Sequence, residues 1–185
     1  MKNKILLFVL LCLLTLGICA CTGTGTDTDN NQGTNGEIVV PEKFETPYTD
    51  ALKLDAYYNG KSFIEDGIGV VTLGNVTDGD TAIFKDNGTS ITVRFNGVNT
   101  PESTYKVEPW GFAASNYTKK ALKNAYKIVL QSESLEDRFD TTGERYLSWV
   151  WIVSEDGDTR LLNLELAEQA LAKAKATDTH LADIF

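Results

Sequence analysis

The sequence predicts an α+β fold, a small five-stranded β-barrel with two or three attached helices. Short runs rich in Val, Ile, Thr and Phe recur from Gly69 onward, separated by turn residues. Asn87-Gly88 stands between two such runs, and because both residues accept positive φ the pair marks a two-residue hairpin loop. Helix-like stretches are interspersed without the strand-helix-strand rhythm of a parallel sheet.

Gly69–Gly74 is the first expected strand, and Thr81–Lys85 and Ser90–Asn96 are the second and third. With Asn87-Gly88 as the loop, Phe84 faces Ile91, Ala82 faces Val93 and Asp80 faces Phe95, giving one apolar face with Asp80 at its rim. This register puts Asp80 and Arg94 on opposite pleats, so bringing them together requires strong twist or a bulge. Gly111–Ala125 reads as a helix after Pro109, its apolar side built from Ala114, Tyr117, Thr118, Ala121 and Ala125. Ile128–Leu130 and Tyr146–Val153 are the fourth and fifth strands, and Glu155-Asp156-Gly157-Asp158 turns the chain. Asn163 is the expected N-cap of a second helix running to about Lys173. A short helix is expected over Ala51–Tyr58, and Trp110, Trp149 and Trp151 are expected in the core or as barrel cover. The five-stranded OB-fold is the architecture that fits this order.

The 185 residues allow one domain of ordinary size plus appendages, and 42% apolar residues suffice for a core. A net charge of -9 argues against a strongly basic nucleic-acid coat while leaving room for a small cationic site. Lys119, Lys120, Lys123 and Lys127 are read as a solvated helix face. All three cysteines, Cys12, Cys19 and Cys21, precede the folded region, which therefore holds neither a disulfide nor a thiolate metal site.

Residues 1–20 read as a signal peptide, a short positive start followed by an apolar run too short to span a membrane comfortably. Leu16-Gly17-Ile18-Cys19-Ala20-Cys21 resembles a bacterial lipobox, which implies lipidation of Cys21 and display on the outer face of the cell membrane, or secretion. A plain signal peptide or an uncleaved anchor is the alternative. Residues 21–60 are expected to form the anchor site and a flexible tether, the Thr22–Gly36 part having no residue able to seed a core. The folded domain is expected over residues 61–185.

Chemistry concentrates in Val76–Glu102, where Asp78-Gly79-Asp80-Thr81, Arg94 and Asn99-Thr100-Pro101-Glu102 crowd into one region. Together with the run 111–120, Gly143-Glu144-Arg145 before Leu147-Ser148-Trp149, and Asn163 leading to Gln169-Ala170-Leu171-Ala172-Lys173, this ordered set resembles the staphylococcal nuclease (thermonuclease) family. The resemblance implies an OB-fold enzyme that hydrolyses phosphodiester bonds in DNA and RNA with Ca²⁺, acting as a monomer. It assigns the metal to Asp80, Asn99 and the Thr100 carbonyl. Glu102 is implied to activate the attacking water, and Arg94 and Arg145 to clamp the phosphate. Those residue types suit the chemistry, since Ca²⁺ takes hard oxygen ligands and planar guanidinium groups meet phosphate oxygens two at a time.

Several positions depart from the family pattern. Asn99 stands where the pattern has an aspartate, which removes one negative charge from the metal site and predicts weaker Ca²⁺ binding and reduced activity. The loop Asp140–Arg145 is one residue longer and lacks the expected lysine and tyrosine, Ala174–Thr177 lacks the tyrosines, and family members continue into a last helix beyond Phe185. The competing reading is a catalytically weakened OB-fold module that binds nucleic acid or protein; a purely structural surface lipoprotein is the third.

Overall fold

A computed structural model of the chain describes residues 51–136, 138–175 and 181. The leader, Cys21, the tether up to residue 50, His180 and residues 182–185 lie outside the described residues. In chain order the elements are α1 (Phe63–Asp66), β1 (Ile68–Asp78), β2 (Thr81–Asp86), β3 (Thr89–Phe95), β4 (Val98–Asn99) and α2 (Gly111–Asn124). Then come β5 (Lys127–Gln131), β6 (Tyr146–Val153), β7 (Thr159–Leu161), α3 (Leu162–Glu168) and β8 (Lys173–Ala174).

The strands run β3-β2-β1-β5-β6-β7, and a further pairing of β3 with β6 closes five of them into a barrel. That closing pair is parallel, while the other barrel pairs are antiparallel. The expected α+β OB-fold is therefore the fold observed. Its hairpin forms as read, with Phe84 opposite Ile91 and Ala82 opposite Val93. The loop residues Asn87 and Gly88 have φ of 47° and 86°, the positive values such a turn demands.

Strand β1 is longer than expected because Gly74 does not end it. The strand continues through irregularities between Leu73 and Asn75 and between Val76 and Asp78, and a Cβ at Gly74 would come to 3.0 Å from the Ile83 carbonyl oxygen. Its first part pairs with β5 and its second with β2, so one coiled strand serves both sides of the barrel.

Ala82, Phe84, Val93, Phe95, Leu130 and Val150 fill the barrel, with Ala113, Ala114 and Leu122 of α2 and Leu162 and Leu166 of α3 packed against them. A second cluster on the outside of β5 and β6 holds Ile68, Val129, Trp149, Trp151 and Leu161. Trp149 and Trp151 are thus buried as expected, whereas Trp110 is not, being 54% exposed.

Residues 52–58 lie over this second cluster. Leu52, Leu54, Ala56 and Tyr58 pack on it while Lys53, Asp55 and Tyr57 face outward. No helix forms there, contrary to expectation. The apolar residues alternate with period two, which suits an extended arm and would scatter around a helix. Leu54 N–H donates to Thr159 Oγ1 at 2.9 Å and Lys53 pairs with Asp158 at 2.7 Å, so ordered packing begins before residue 61.

Asn163 is not an N-cap. Helix α3 starts behind Leu161 with no side-chain cap, and Asn163 is fully buried. The helix ends at Glu168 rather than near Lys173, because Ala170 takes a φ of 56° and Lys173–Ala174 pairs with β4 instead.

Candidate active site

The site is built at the end of the barrel from four stretches that sequence separates. Strand β1 ends at Asp78 and β2 begins at Thr81, leaving Gly79 and Asp80 as the connection. A Cβ at Gly79 would fall 2.7 Å from Thr100 Oγ1 and 2.8 Å from Ala114 Cβ, so only glycine fits between α2 and the Thr100 segment. Asp78 Oδ1 accepts the Gly79 N–H at 2.8 Å, and the buried Thr118 hydroxyl of α2 donates to the Gly79 carbonyl. Asp80 thus sits in a clamped turn whose carbonyl still accepts the Phe95 N–H at 2.8 Å, as the register expects, while its side chain reaches Arg94.

Asp80 is fully buried and Arg94 partly buried, and their side chains form an ion pair. The other carboxylate oxygen of Asp80 accepts the Thr100 N–H at 2.6 Å. Arg94 also donates to Asn99 Oδ1 at 2.6 Å. Asp80, Arg94, Asn99 and Thr100 are therefore one hydrogen-bonded cluster.

The Asn99-Thr100 segment is held from behind by Asn163. Its amide donates to the carbonyls of Asn96 and Ser148 at 2.8 and 3.2 Å, and its oxygen accepts the Val150 N–H at 2.8 Å. Asn96 Oδ1 accepts the Gly97 N–H at 3.1 Å, turning the chain into β4, which pairs Asn99 with Lys173 of β8.

Glu102 is exposed at the rim, with its backbone fixed on both sides. Its N–H donates to Glu108 Oε2 at 3.1 Å, and the Glu108 N–H donates to its carbonyl at 2.8 Å. Gly111 lies so close beneath that a Cβ would fall 2.0 Å from the same carbonyl oxygen. Next door, Ser103 donates from both N–H and hydroxyl to Asp78 Oδ1 at 3.1 and 2.7 Å.

Partial desolvation, then the Asp78 carboxylate and, behind it, Asp80, push Glu102 above the usual carboxylate range against the pull of Arg94. Burial also raises Asp80, opposed chiefly by Arg94 and the Thr100 N–H. Three carboxylates converge with one guanidinium among them. This surplus of negative charge and hard oxygen suits a divalent cation. Beside Asp80, the buried Thr100 hydroxyl has no well-formed hydrogen bond. Asp80, Asn99 and Thr100 therefore fit Ca²⁺ by donor type. Although Asp78, Asp80 and Glu102 feel one another's charge, no group of three or more Asp, Glu, His or Cys among the described residues is placed to hold a metal ion, so the donor set relies on the Asn99 amide and Thr100 beside Asp80.

Arg145 is not part of the cluster. The parallel ladder sets Tyr146 opposite Val93, bringing the neighbouring Arg145 backbone toward β3. Its guanidinium, however, turns to Asp140, with Nε at 2.7 Å and a terminal nitrogen at 2.6 Å from Oδ2. Asp140 Oδ1 also accepts the Thr142 hydroxyl at 2.6 Å, so the extra-length loop closes on itself.

Sequence reasoning missed Thr118 and Asn163 as supports and Asp140 as the partner of Arg145. Asn163 follows a strand and opens a helix, which is the pattern of a cap, and only the three-dimensional closeness of β6 and Asn96 reveals its other use. Asp78 supports the site from the turn by bonding Gly79 and Ser103.

The family model described as staphylococcal nuclease homologue matches residues 92–183, a span holding Arg94, Asn99, Thr100, Glu102 and Arg145. Thermonuclease of Staphylococcus intermedius is 38% identical over 103 residues, 54% of this chain and 56% of that protein. Thermonuclease of Staphylococcus hyicus is 38% identical over 104 residues, with the same 54% and 56% shares. An uncharacterized protein of Methanocaldococcus jannaschii is 26% identical over 159 residues, 75% of this chain and 69% of that one. The chain spans just over half the length of the thermonucleases it matches.

Proposed function

This chain belongs to the staphylococcal nuclease family, and on that basis we propose that it hydrolyses phosphodiester bonds of DNA and RNA with Ca²⁺. The observation that carries the reading is the cluster in which Asp80 lies between Arg94 and the Thr100 N–H with Glu102 at its edge. Asp80, Asn99 and Thr100 would hold the cation. When bound, Ca²⁺ supplies neutralising charge at the phosphate and lowers the pKa of its water.

The chain's own groups do the rest. Arg94, held by Asp80 and Asn99 through its two terminal nitrogens, would turn its remaining N–H donors to phosphate oxygens and stabilise the charge that grows there. Glu102, its affinity for a proton raised by partial desolvation and then by Asp78 and Asp80, takes the proton of the attacking water on a carboxylate oxygen. Arg145 becomes the second clamp by exchanging Asp140 for phosphate.

Lipidation of Cys21 would hold the enzyme at the outer face of the cell membrane, where extracellular nucleic acid is the substrate. A Cys21→Ser variant that stays with the membrane fraction would refute that part. The catalytic part is tested by incubating the full chain with single- and double-stranded DNA and with RNA at millimolar Ca²⁺. Cleavage abolished by a chelator is expected; no cleavage by the folded protein overturns the reading.

One observation favours a second reading, a binding module without turnover. Arg94 and Arg145 are both already neutralised by Asp80 and Asp140. Oligonucleotide binding that ignores the chelator, without cleavage, would support it.

A further inference from the structure

Nine large apolar side chains stand out as exposed among the described residues, and four of them, Tyr105, Val107, Trp110 and Phe112, come from the short stretch between Glu102 and the first turn of α2. Tyr105 is fully exposed, and Trp110 and Phe112 are each 54% exposed. A core does not explain them. Two of the three aromatic residues also sit in left-handed backbone, Tyr105 at φ 39° and Trp110 at φ 71°, which a bulky side chain rarely adopts. Asn or Gly would take either conformation at lower cost, so the rings are held outward at a conformational expense that the fold does not need.

This loop is fastened to the candidate site. The Glu102–Glu108 bonds close its base, and Gly111, between Trp110 and Phe112, packs directly on the Glu102 carbonyl. Tyr105 is three positions along the chain from Glu102, a reach of at most about 10 Å. A strand whose phosphate lies at Arg94 and Glu102 would have its neighbouring bases within reach of a loop that is anchored on Glu102 and carries these rings. Lys106 within the loop, also exposed, supplies a cation for the adjoining backbone.

We propose that Tyr105, Trp110 and Phe112 form a base-stacking platform that grips the unpaired nucleotides beside the phosphate being cleaved. The proposal rests on the nuclease reading and deepens it. Every base offers a π-face, so the platform selects for unpaired bases of any sequence over phosphate alone. It takes the place of the contacts that the chain lacks at Asp140–Arg145, where no lysine or tyrosine is present to hold the nucleotide.

The test compares full-length wild type with the Tyr105→Ala/Trp110→Ala double variant and the Tyr105→Phe/Trp110→Phe variant, which keeps the rings. Binding is followed in chelator by the fluorescence anisotropy of end-labelled strands, an oligothymidylate and an abasic strand of equal length and charge, with tryptophan emission as a second readout in the wild type. Trp110 is the exposed tryptophan, Trp149 and Trp151 being buried, so stacking should quench its emission. The wild type is expected to bind the thymidylate at least about fivefold more tightly than the abasic strand, a preference lost with the Ala pair and kept with the Phe pair.

Equal affinity for the two strands, or no loss with the Ala pair, overturns the platform. So does a Trp110 response to anionic vesicles in place of oligonucleotide, which would make the rings a membrane contact. Cleavage at millimolar Ca²⁺ is measured alongside. Cleavage with an unchanged KM in the Ala pair sinks the platform alone, whereas absence of cleavage in the wild type sinks the nuclease reading itself.

Discussion

Asn99 is the proposed cation ligand that lacks a charge, and so the residue that would set the strength of the site. Its side-chain oxygen accepts from Arg94 at 2.6 Å, on the side where Asp80 also meets that guanidinium. A carboxylate there would add a full charge to the cation's surroundings. Asn99→Asp should lower the Ca²⁺ needed for half-maximal cleavage by about tenfold, equivalent to about 1.4 kcal/mol. A titration showing no reduction would mean that Asn99 does not face the metal. Asp140 makes a different prediction. Burial alone would raise its carboxyl, but hydrogen bonds from Thr142 and Arg145 and the Arg145 charge bring it down to about 2 from an ordinary 3.8. A depressed folded-state value means that this stabilisation is present above the ordinary value and is lost as pH falls from there toward about 2. Thermal unfolding of Asp140→Asn should therefore show a smaller drop in Tm between about pH 5 and pH 2.5 than wild type shows. An identical acid slope would remove Asp140 from the account.

Helices and turns position these residues. Helix α2 grips the Gly79-Asp80 connection through Thr118 and Ala114, and α3 grips the turn into Asn99 through Asn163. Asn163→Leu leaves the Val150 N–H and two carbonyls without their buried partner and should cost about 1–3 kcal/mol in denaturant unfolding. An unchanged midpoint would show that the network relaxes freely. The hairpin was legible in the sequence because Asn87-Gly88 admits one kind of loop, and the register followed from it. Tyr146–Val153 was legible because its apolar run is bounded by turn residues on both sides. The role of Asn163 was not, since its three partners come from segments that only barrel closure brings together. Likewise, a short helix is the sequence expectation for residues 52–58 despite the period-two alternation of Leu52, Leu54, Ala56 and Tyr58, because the surface that makes an extended arm worthwhile exists only once β5 and β6 are paired.

At the scale of the molecule, the parallel β3–β6 pairing closes the barrel and the long β1 connects its two sides. The arm over Trp149 and Trp151 lies against the outer face of β5 and β6 and contributes no residue to the site. Leu54→Ala should therefore lower Tm, by the loss of about 1 kcal/mol or more of burial, while kcat stays unchanged. A fall in kcat at a temperature where the variant is folded would tie the arm to the site. Residue types at the site could be read from the sequence, because Asp80, Arg94, Thr100 and Glu102 stand in a recognisable order. Their convergence could not, because pleat alternation put Asp80 and Arg94 apart and only the clamped turn reunites them. Arg145 shows the same limit, its type in place and its guanidinium held by Asp140. The central claim is that this cluster cleaves phosphodiesters with Glu102 as the proton acceptor. It is tested most directly by initial rates of DNA cleavage at saturating Ca²⁺ for wild type and Glu102→Gln, each shown to be folded. The account predicts metal-dependent cleavage by the wild type and a kcat lower by about 10²–10⁴-fold in the variant; equal rates in the two proteins would contradict it.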